Sequence, residues 1–215
     1  MHIKIDLHIH TVYSDGSGTV EEVIRRALEK GLDGIAITDH NSIKGYFEAK
    51  KILKEKIILI PGFEVKTEKG HILIYGLTEI PEKNISYEEL IEWVRKRRGI
   101  AILAHPAAGR KYMKTWMRSK PDAVEVLNAL YPIGSLMIKM GMKIANKLEL
   151  PMTGGSDAHQ PENVGDAYTL VKVEEKSSEG ILEAIKKGLT EPGGGLSPLK
   201  IRLKMGLKFI LRSLD

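Results

Sequence analysis

Histidines and carboxylates recur at the ends of the short apolar segments of this 215-residue chain. Two pairs are spaced two residues apart, His8 with His10 and Asp157 with His159. Because residues i and i+2 of a β-strand share a face, both imidazoles of the first pair can reach one ion. The remaining candidates each adjoin a different apolar segment, and they are Asp15, His40, Glu64, His71 and His105. These nine nitrogen and oxygen ligands are too many for one ion and suit two or three, with a carboxylate able to bridge.

The chain contains no cysteine, and this narrows the chemistry that it can perform. Disulfides, thiolate nucleophiles, zinc fingers and iron–sulfur clusters are excluded, so any metal must be bound by nitrogen and oxygen ligands. The sequence also lacks a serine in a G-x-S-x-G motif. A metal-bound hydroxide is therefore the economical nucleophile for a hydrolytic reaction.

Strand-like apolar segments alternate with helical patterns along the whole chain. The predicted strands are Ile3–Ile9, Gly34–Thr38, Ile57–Pro61, Ile72–Tyr75, Ile100–Ala104, Ala123–Leu127, Met152–Gly155 and Tyr168–Val173. This alternation predicts a parallel sheet covered by helices, which roughly seven or eight units can close into a barrel. The carboxyl ends of parallel barrel strands meet on one face, so we expect the ligand residues to converge there. An open, doubly wound sheet is the alternative, although no G-x-G-x-x-G follows the first strand.

Two helix starts can be recognised from capping boxes. Thr19 with Glu22, and Ser86 with Glu89, have the spacing in which the first side chain and the fourth cap each other's backbone amides. Apolar residues at helical spacing follow both pairs. Further helices are predicted over residues 42–54, 134–148 and 179–187.

Six short motifs carry a resemblance to a known family. They are DLHIHT at 6–11, SDG at 14–16, TDH at 38–40, GFE at 62–64, AHP at 104–106 and GSDAH at 155–159. As an ordered set they resemble the PHP family, named for bacterial replicative DNA polymerases and histidinol phosphatases. The resemblance implies an α/β fold, a distorted (β/α)7 TIM-like barrel of the PHP type. It also implies a trinuclear metal centre. The nitrogen and oxygen ligands accept Zn, Mn or Fe, and we expect two to three such divalent ions to be bound.

Carried onto this sequence, the resemblance distributes the nine ligands over three metal positions. The first metal would be bound by His8, His10, Glu64 and Asp157. The second would be bound by Glu64, His71 and His105, which makes Glu64 a bridge. The third would be bound by Asp15, His40 and His159. Of these residues Glu64, Asp157 and His159 are expected to act directly in catalysis.

Four further residues are candidates for supporting roles. Asp6 and Asp39 adjoin ligands, and we expect each to orient an imidazole N–H rather than to bind metal. Arg110 and Lys111 follow His105 closely and are candidates for binding a substrate phosphate, although an ordinary exposed pair would look the same.

The leading hypothesis is a metal-dependent phosphoesterase that uses a metal-bound hydroxide on a small phosphorylated substrate. A phosphomonoester such as a nucleotide or sugar phosphate fits a compact site in a body of nearly neutral charge. One alternative is an exonuclease or phosphodiesterase acting on nucleic acid, which is not favoured because it needs a basic and aromatic groove and only three Phe, two Trp and seven Tyr are available. A second alternative is a non-catalytic RNA-binding subunit resembling the family, which the complete ligand set opposes.

The positive charge of the chain is concentrated near its C-terminal end. The formal net charge is +5, and residues 196–215 contain five basic residues against one acidic residue. The flexible-looking sequence Pro192-Gly193-Gly194-Gly195 precedes them. We therefore expect a metal-dependent hydrolase barrel over residues 1–195 and a basic amphipathic tail over 196–215.

The tail has two interpretations. Lys200, Lys204, Lys208 and Arg212 recur every four residues, which places them on one helical stripe with leucines on the other side. Residues 199–205 also alternate apolar and basic, as a strand would. The favoured interpretation is a terminal helix packed on the barrel with a solvated basic face, and a surface-binding helix for anionic lipid or RNA is the alternative.

Targeting signals are absent from the sequence as it stands. No apolar run reaches the length of a membrane span, and the first residues do not have the pattern of a signal peptide. We therefore expect a cytoplasmic protein whose partner is a small phosphorylated substrate.

Overall fold

A computed structural model describes residues 1–53, 56–108 and 110–212, except for the side chains of residues 108, 110 and 208–212. Within these ranges the strands are β1 (His2–Ile9), β2 (Gly34–Ile37), β3 (Ile58–Thr67), β4 (Gly70–Tyr75), β5 (Ile100–Leu103), β6 (Ala123–Asn128), β7 (Met152–Gly155), β8 (Ala167–Lys172) and β9 (Thr190–Gly194). They form one sheet in the order β7-β6-β5-β4-β3-β2-β1-β8-β9.

The helices lie mostly between consecutive strands, as the alternation predicts. They are α1 (Val20–Glu29), α2 (Lys44–Ile52), α3 (Tyr87–Lys96), α4 (Met113–Arg118), α5 (Gly134–Leu148), α6 (Ser178–Lys186) and α7 (Leu199–Arg212). Both predicted capping boxes are present, at Thr19 before α1 and at Ser86 before α3. Among the described helices, none combines the length and the apolar character that crossing a bilayer requires.

The sheet is mixed, so the expectation of parallel pairing throughout is wrong. β1 to β3 and β5 to β7 pair in parallel, whereas β4 is antiparallel to both of its neighbours. β8 is likewise antiparallel to β1 and β9. β4 is antiparallel to β3 because the connection between the two strands is short. Thr67 pairs with Gly70 in a tight hairpin, which leaves no room for the crossover that parallel strands need.

The sheet curls into a nearly closed barrel, which confirms the predicted fold class. The two ends of the sheet meet through side-chain hydrogen bonds rather than a regular ladder. The Thr169 hydroxyl on β8 accepts from the Gly154 amide at 3.0 Å and donates to the Gly154 carbonyl at 2.7 Å. The Thr190 hydroxyl on β9 donates to the carbonyl of Met152 at 2.9 Å.

Residues 190–194 form an edge strand, which corrects the expectation of a flexible break at 192–195. An edge strand tolerates Pro192 because one side of it needs no ladder partner. Gly193 is required by packing, since a Cβ there would lie 2.4 Å from the Tyr168 ring. The glycines of this segment therefore allow close approach to β8.

The barrel interior is an apolar core beneath the strand ends. Ile3, Ile5 and Leu7 of β1 pack there with side chains from β2 to β6, β8 and α6. Tyr75 is fully buried in the same cluster, and its hydroxyl donates a 2.6 Å hydrogen bond to the carbonyl of Leu7. This bond fixes β1 one residue before His8.

We expect Tyr75→Phe to destabilise the fold by about 1–3 kcal/mol, because the buried carbonyl of Leu7 loses a donor. Urea unfolding measures the change. Tyr46→Phe, at a half-buried tyrosine on α2, is the matched control. Equal destabilisation by the two substitutions would contradict the role of the hydroxyl.

Helix α7 resolves the ambiguity between the strand and helix patterns in the tail. Its Arg202 guanidinium donates to the carbonyls of Tyr131 at 2.9 Å, Pro132 at 3.1 Å and Ser197 at 2.9 Å. Tyr131 and Pro132 lie in the loop that follows β6. The helix is thus tied to the barrel at its first turns.

Candidate metal centre

The carboxyl end of β1 places two imidazoles side by side. The Nε2 atoms of His8 and His10 are 3.1 Å apart, and both residues are buried. The segment is held from both sides, because the Ile9 carbonyl accepts from the Thr38 amide and the His10 amide donates to the Ala158 carbonyl. The two-residue spacing therefore directs both rings to one position, as the sequence predicts.

Glu64 on β3 lies at the middle of the cluster and is almost fully buried. Its Oε1 lies 2.8 Å from Nδ1 of His71 and 3.4 Å from Nε2 of His105. Its Oε2 lies 3.1 Å from Nδ1 of His40 and 3.2 Å from Nε2 of His10. A carboxylate with different imidazoles at each oxygen has the geometry of a bridge between two positions.

Asp15 after β1, and Asp157 and His159 after β7, complete the cluster. Oδ1 of Asp157 lies 3.2 Å from Nε2 of His10 and 3.4 Å from Nε2 of His8. Oδ1 of Asp15 lies 3.1 Å from Nε2 of His159. All nine residues that the sequence singles out as ligands therefore come together on one face of the barrel.

The possible ligand atoms fall into four overlapping groups. They are His10–Asp15–His40–His159, His8–Glu64–His105, His8–His10–Asp157 and His40–Glu64–His71, each with its donor atoms within 4.8 Å of one another. All four groups share members with the three ligand sets that the resemblance implies. His10 joins the group of Asp15, which the resemblance does not place there.

This donor set fits divalent metal ions. Oε2 of Glu64 is buried without a hydrogen-bond donor in good geometry among the described residues. The donor–donor distances of 3.1–3.4 Å at His8, His10 and Asp157 match ligands about 2.1 Å from a shared ion. The donors are imidazole nitrogens and carboxylate oxygens, which suit Zn, Mn or Fe.

Two carboxylates of the cluster, Glu64 and Asp157, have lowered pKa values. Burial acts to raise the pKa of Glu64, but the charges of His71 and His8 outweigh it and hold that pKa well below its usual range. The pKa of Asp157 is lowered in the same way, against burial, mainly by His8 and His10. Both side chains are therefore available as anionic ligands at neutral pH.

The pKa values of His10 and His40 are shifted in opposite directions. Burial acts to lower the pKa of His10, but hydrogen bonds to Asp157 and Glu64 outweigh it and raise the pKa to about 10. For His40 burial dominates and lowers the pKa to about 4. Because a metal ligand must be unprotonated, metal binding is expected to release the proton of His10.

Glu125 is a functional candidate that the sequence reasoning missed. Its Oε1 lies 2.9 Å from Nδ1 of His8, and its Oε2 accepts from the His105 amide at 3.0 Å. Oε2 also accepts from Nδ2 of Asn128, which in turn donates to Oδ2 of Asp157 at 3.1 Å. Glu125 therefore positions candidate ligands at the ends of three strands, β1, β5 and β7, the last of them through Asn128. A single carboxylate inside the apolar strand AVEVLN was the available signal.

The backbone near the cluster has features that side chains rarely allow. A Cβ at Gly155 would lie 2.6 Å from Cβ of His8 and 2.7 Å from Oε1 of Glu125, so only glycine lets β7 approach β1 this closely. His105 and Asp157 have φ of 31° and 52°, a region that non-glycine residues enter at a cost. Such strain is typical of functional sites.

Asp6 and Asp39 bind the segments that carry ligands. Asp39 accepts from the amide of Thr11 at 2.7 Å and from the hydroxyl of Ser14 at 2.6 Å. Asp6 accepts from the amides of His8 at 3.2 Å and Ser156 at 3.0 Å, and burial raises its pKa to about 6. Both act on backbone and hydroxyl groups, which differs from the expected bond to an imidazole N–H.

The two candidate phosphate-binding residues lie beyond β5. The side chain of Arg110 lies outside the described part of the structure. Lys111 is exposed, and its ammonium group lies 5.0 Å from the centre of the Tyr112 ring. Their role in binding substrate stays a prediction.

The fold and the site together define a TIM-like barrel with a ligand cluster that fits several divalent metals. A family model for PHP-associated sequences matches residues 139–190. The uncharacterised protein MJ1587 of Methanocaldococcus jannaschii is 38% identical over 151 residues, which cover 61% of this chain and 85% of that protein. A 5'-3' exoribonuclease of Haemophilus influenzae is 42% identical over 77 residues, covering 34% of this chain and 28% of the exoribonuclease.

A solved structure shares the fold over most of the chain. It is a two-domain Bacteroides vulgatus protein that contains a predicted PHP-like metal-dependent phosphoesterase. The TM-score is 0.78 at 21% identity, with 91% of this chain and 65% of that chain covered. The chain belongs to the PHP family.

Proposed function

We propose that the protein is a metal-dependent phosphoesterase that hydrolyses a small phosphorylated substrate such as a nucleotide or sugar phosphate. The observation that carries this proposal is the placement of the buried Glu64 carboxylate between imidazoles at both oxygens. Divalent cations bound there would lower the pKa of water and neutralise phosphoryl oxygens. The alternative nucleophiles, a cysteine or the serine of a G-x-S-x-G motif, are absent from the sequence.

The chain's own contribution is to fix which nitrogen of each imidazole faces the cluster. Nδ1 of His159 lies 2.8 Å from the carbonyl of Asp157, so it carries the proton and leaves Nε2 as the free lone pair. Nδ1 of His8 is held in the same way by Glu125 at 2.9 Å. Pre-set tautomers of this kind raise ligand basicity and reduce the reorganisation needed on binding.

Four further residues have supporting roles in this proposal. Oδ1 of Asp157 orients the rings of His8 and His10, and Oδ1 of Asp15 orients the ring of His159 from 3.1 Å away from its Nε2. Arg110 and Lys111 are proposed to bind the substrate phosphate from the loop that follows His105. Localisation in the cytoplasm and the presence of two to three ions remain part of the same proposal.

Hydrolysis of nucleic acid is the second candidate, favoured by the similarity to the exoribonuclease. That similarity covers only 28% of the relative, so its substrate does not transfer directly. Away from the C-terminal tail, positive and negative charges nearly balance, which disfavours a phosphate-backbone groove.

We expect protein prepared without chelator to contain two to three equivalents of Zn, Mn or Fe by elemental analysis. Supplied with Mn, it is expected to hydrolyse at least one member of a panel of nucleotide and sugar phosphates faster than single-stranded RNA or DNA. Protein stripped of metal is the control. Preferred cleavage of RNA or DNA would move the assignment to the second candidate. The proposal would be overturned if protein prepared without chelator were folded but contained no metal, and if it stayed inactive on the whole panel when supplied with Mn.

A further inference from the structure

Helix α7 presents an apolar stripe to solvent. Leu199, Leu203 and Leu207 are spaced four residues apart, and their exposed fractions are 55%, 55% and 59%. Four-residue spacing places them along one side of the helix. A row of three exposed leucines on a surface helix differs from single exposed apolar residues, which are ordinary, and indicates a contact surface.

The orientation of the helix is set by its opposite side. Arg202 donates hydrogen bonds to the carbonyls of Tyr131 and Pro132. A Cβ on Gly206 would lie 3.4 Å from Pro132, so the helix lies close against this loop. Ile201 and Met205 are half-buried on the same side. The leucines therefore point outward because the barrel binds the other side.

Positive charge borders the leucines. At about 100° per residue, Lys200 and Lys204 follow the leucine stripe along one edge of the exposed side. Both lysines are exposed, and no acidic residue occurs between Leu196 and Arg212. The exposed side is thus apolar with a basic border, which is the pattern of helices that lie in a membrane interface.

Two more apolar side chains lie beside the seat of α7. Ile133 and Leu136, at the start of α5, have exposed fractions of 63% and 53%. A Cβ on Gly134 between them would lie 3.3 Å from Nη1 of Arg202 and 2.0 Å from Leu196. The start of α5 and the first turns of α7 are therefore neighbours.

We infer that α7 docks the protein on the surface of an anionic phospholipid bilayer. Leucines enter the boundary between headgroups and acyl chains, and lysines contact the anionic headgroups. RNA fits the surface less well, because leucine offers no aromatic ring for base stacking. A second copy of the helix would bring basic borders together, which is electrostatically unfavourable. The inference goes beyond the proposed phosphoesterase activity and does not depend on it.

Co-sedimentation of the full chain with lipid vesicles tests the inference. We expect binding to vesicles of phosphatidylcholine mixed with phosphatidylglycerol, little binding to phosphatidylcholine alone, and weakening by salt. Leu203→Glu is expected to reduce the binding about tenfold or more, because it removes a leucine that enters the bilayer and adds a charge that the anionic headgroups repel. Lys200→Gln with Lys204→Gln should weaken binding only to the anionic vesicles.

The matched control is Leu28→Glu, at an exposed leucine on α1. Leu28→Glu should bind vesicles like the unchanged protein. All variants should have the thermal unfolding temperature and the metal content of the unchanged protein. Absence of binding, equal binding to both vesicle types, or equal loss with Leu28→Glu would overturn the inference. Two other results would also overturn it. One is a dimer in light scattering that Leu203→Glu abolishes while vesicle binding is unchanged. The other is retention of single-stranded RNA that Leu203→Glu abolishes while vesicle binding is unchanged.

Discussion

Replacing Glu64 with glutamine is expected to remove both metal binding and phosphoesterase turnover while leaving the fold intact. Glutamine keeps the length and shape of the side chain, so the packing of β3 is preserved. It replaces one anionic oxygen with an amide NH2 that faces imidazole nitrogens, and the amide cannot bridge two ions.

The size of the expected effect follows from the position of Glu64. Residues that only orient metal ligands cost about 10–100-fold in affinity or activity when replaced. Glu64 contacts imidazoles at both oxygens, so its loss disturbs more than one metal position at once. We therefore expect kcat/KM to fall by more than about 100-fold, with bound metal reduced below one equivalent.

Elemental analysis and turnover of the best substrate measure the two losses, and circular dichroism reports the fold. Glu21→Gln, at an exposed glutamate in the first turn of α1, is the control and should match the unchanged protein. If Glu64→Gln kept full metal content and full turnover, the site would lie elsewhere in the molecule.

The convergence of the nine candidate ligand residues was predictable because their pattern is local. His8 with His10, and Asp157 with His159, carry the two-residue spacing of a strand face in the sequence itself. Glu64 lies at the end of an apolar run, where barrels gather functional residues. Likewise Thr19 and Ser86 start helices through contacts with residues three positions later, so neither needed tertiary information.

The features that were missed depend on contacts between distant parts of the chain. Glu125 lies 117 residues from His8, and nothing in its own neighbourhood says which ligand it supports. The antiparallel pairing of β8 with β1 joins strands from opposite ends of the chain, which strand patterns alone do not reveal. Gly193 reads as a flexible residue until the Tyr168 ring against it is seen. Long-range partners, rather than local preference, decided each of these.

Glu125→Gln is expected to weaken metal binding about 10–100-fold, with the fold retained. Glu125 accepts at both oxygens, from Nδ1 of His8 and from the backbone amide of His105. A glutamine has a single acceptor oxygen, so its NH2 must face one of these two donors. His8 then loses the partner that fixes its tautomer, or the His105 amide is left unpaired.

A positioning role predicts a specific signature for this variant. Metal titration followed by turnover should show a higher concentration of metal for half-maximal activity, whereas kcat at saturating metal changes only a few-fold, since the ligands themselves are intact. Glu191→Gln, at an exposed glutamate on edge strand β9, controls for the loss of a carboxylate.

A Glu125→Gln variant that unfolds would report only on packing. Asn128→Ala therefore provides a second measurement, because it removes the donor that links Glu125 to Asp157. Unchanged metal affinity in both folded variants would show that Glu125 supports the barrel and not the metal centre.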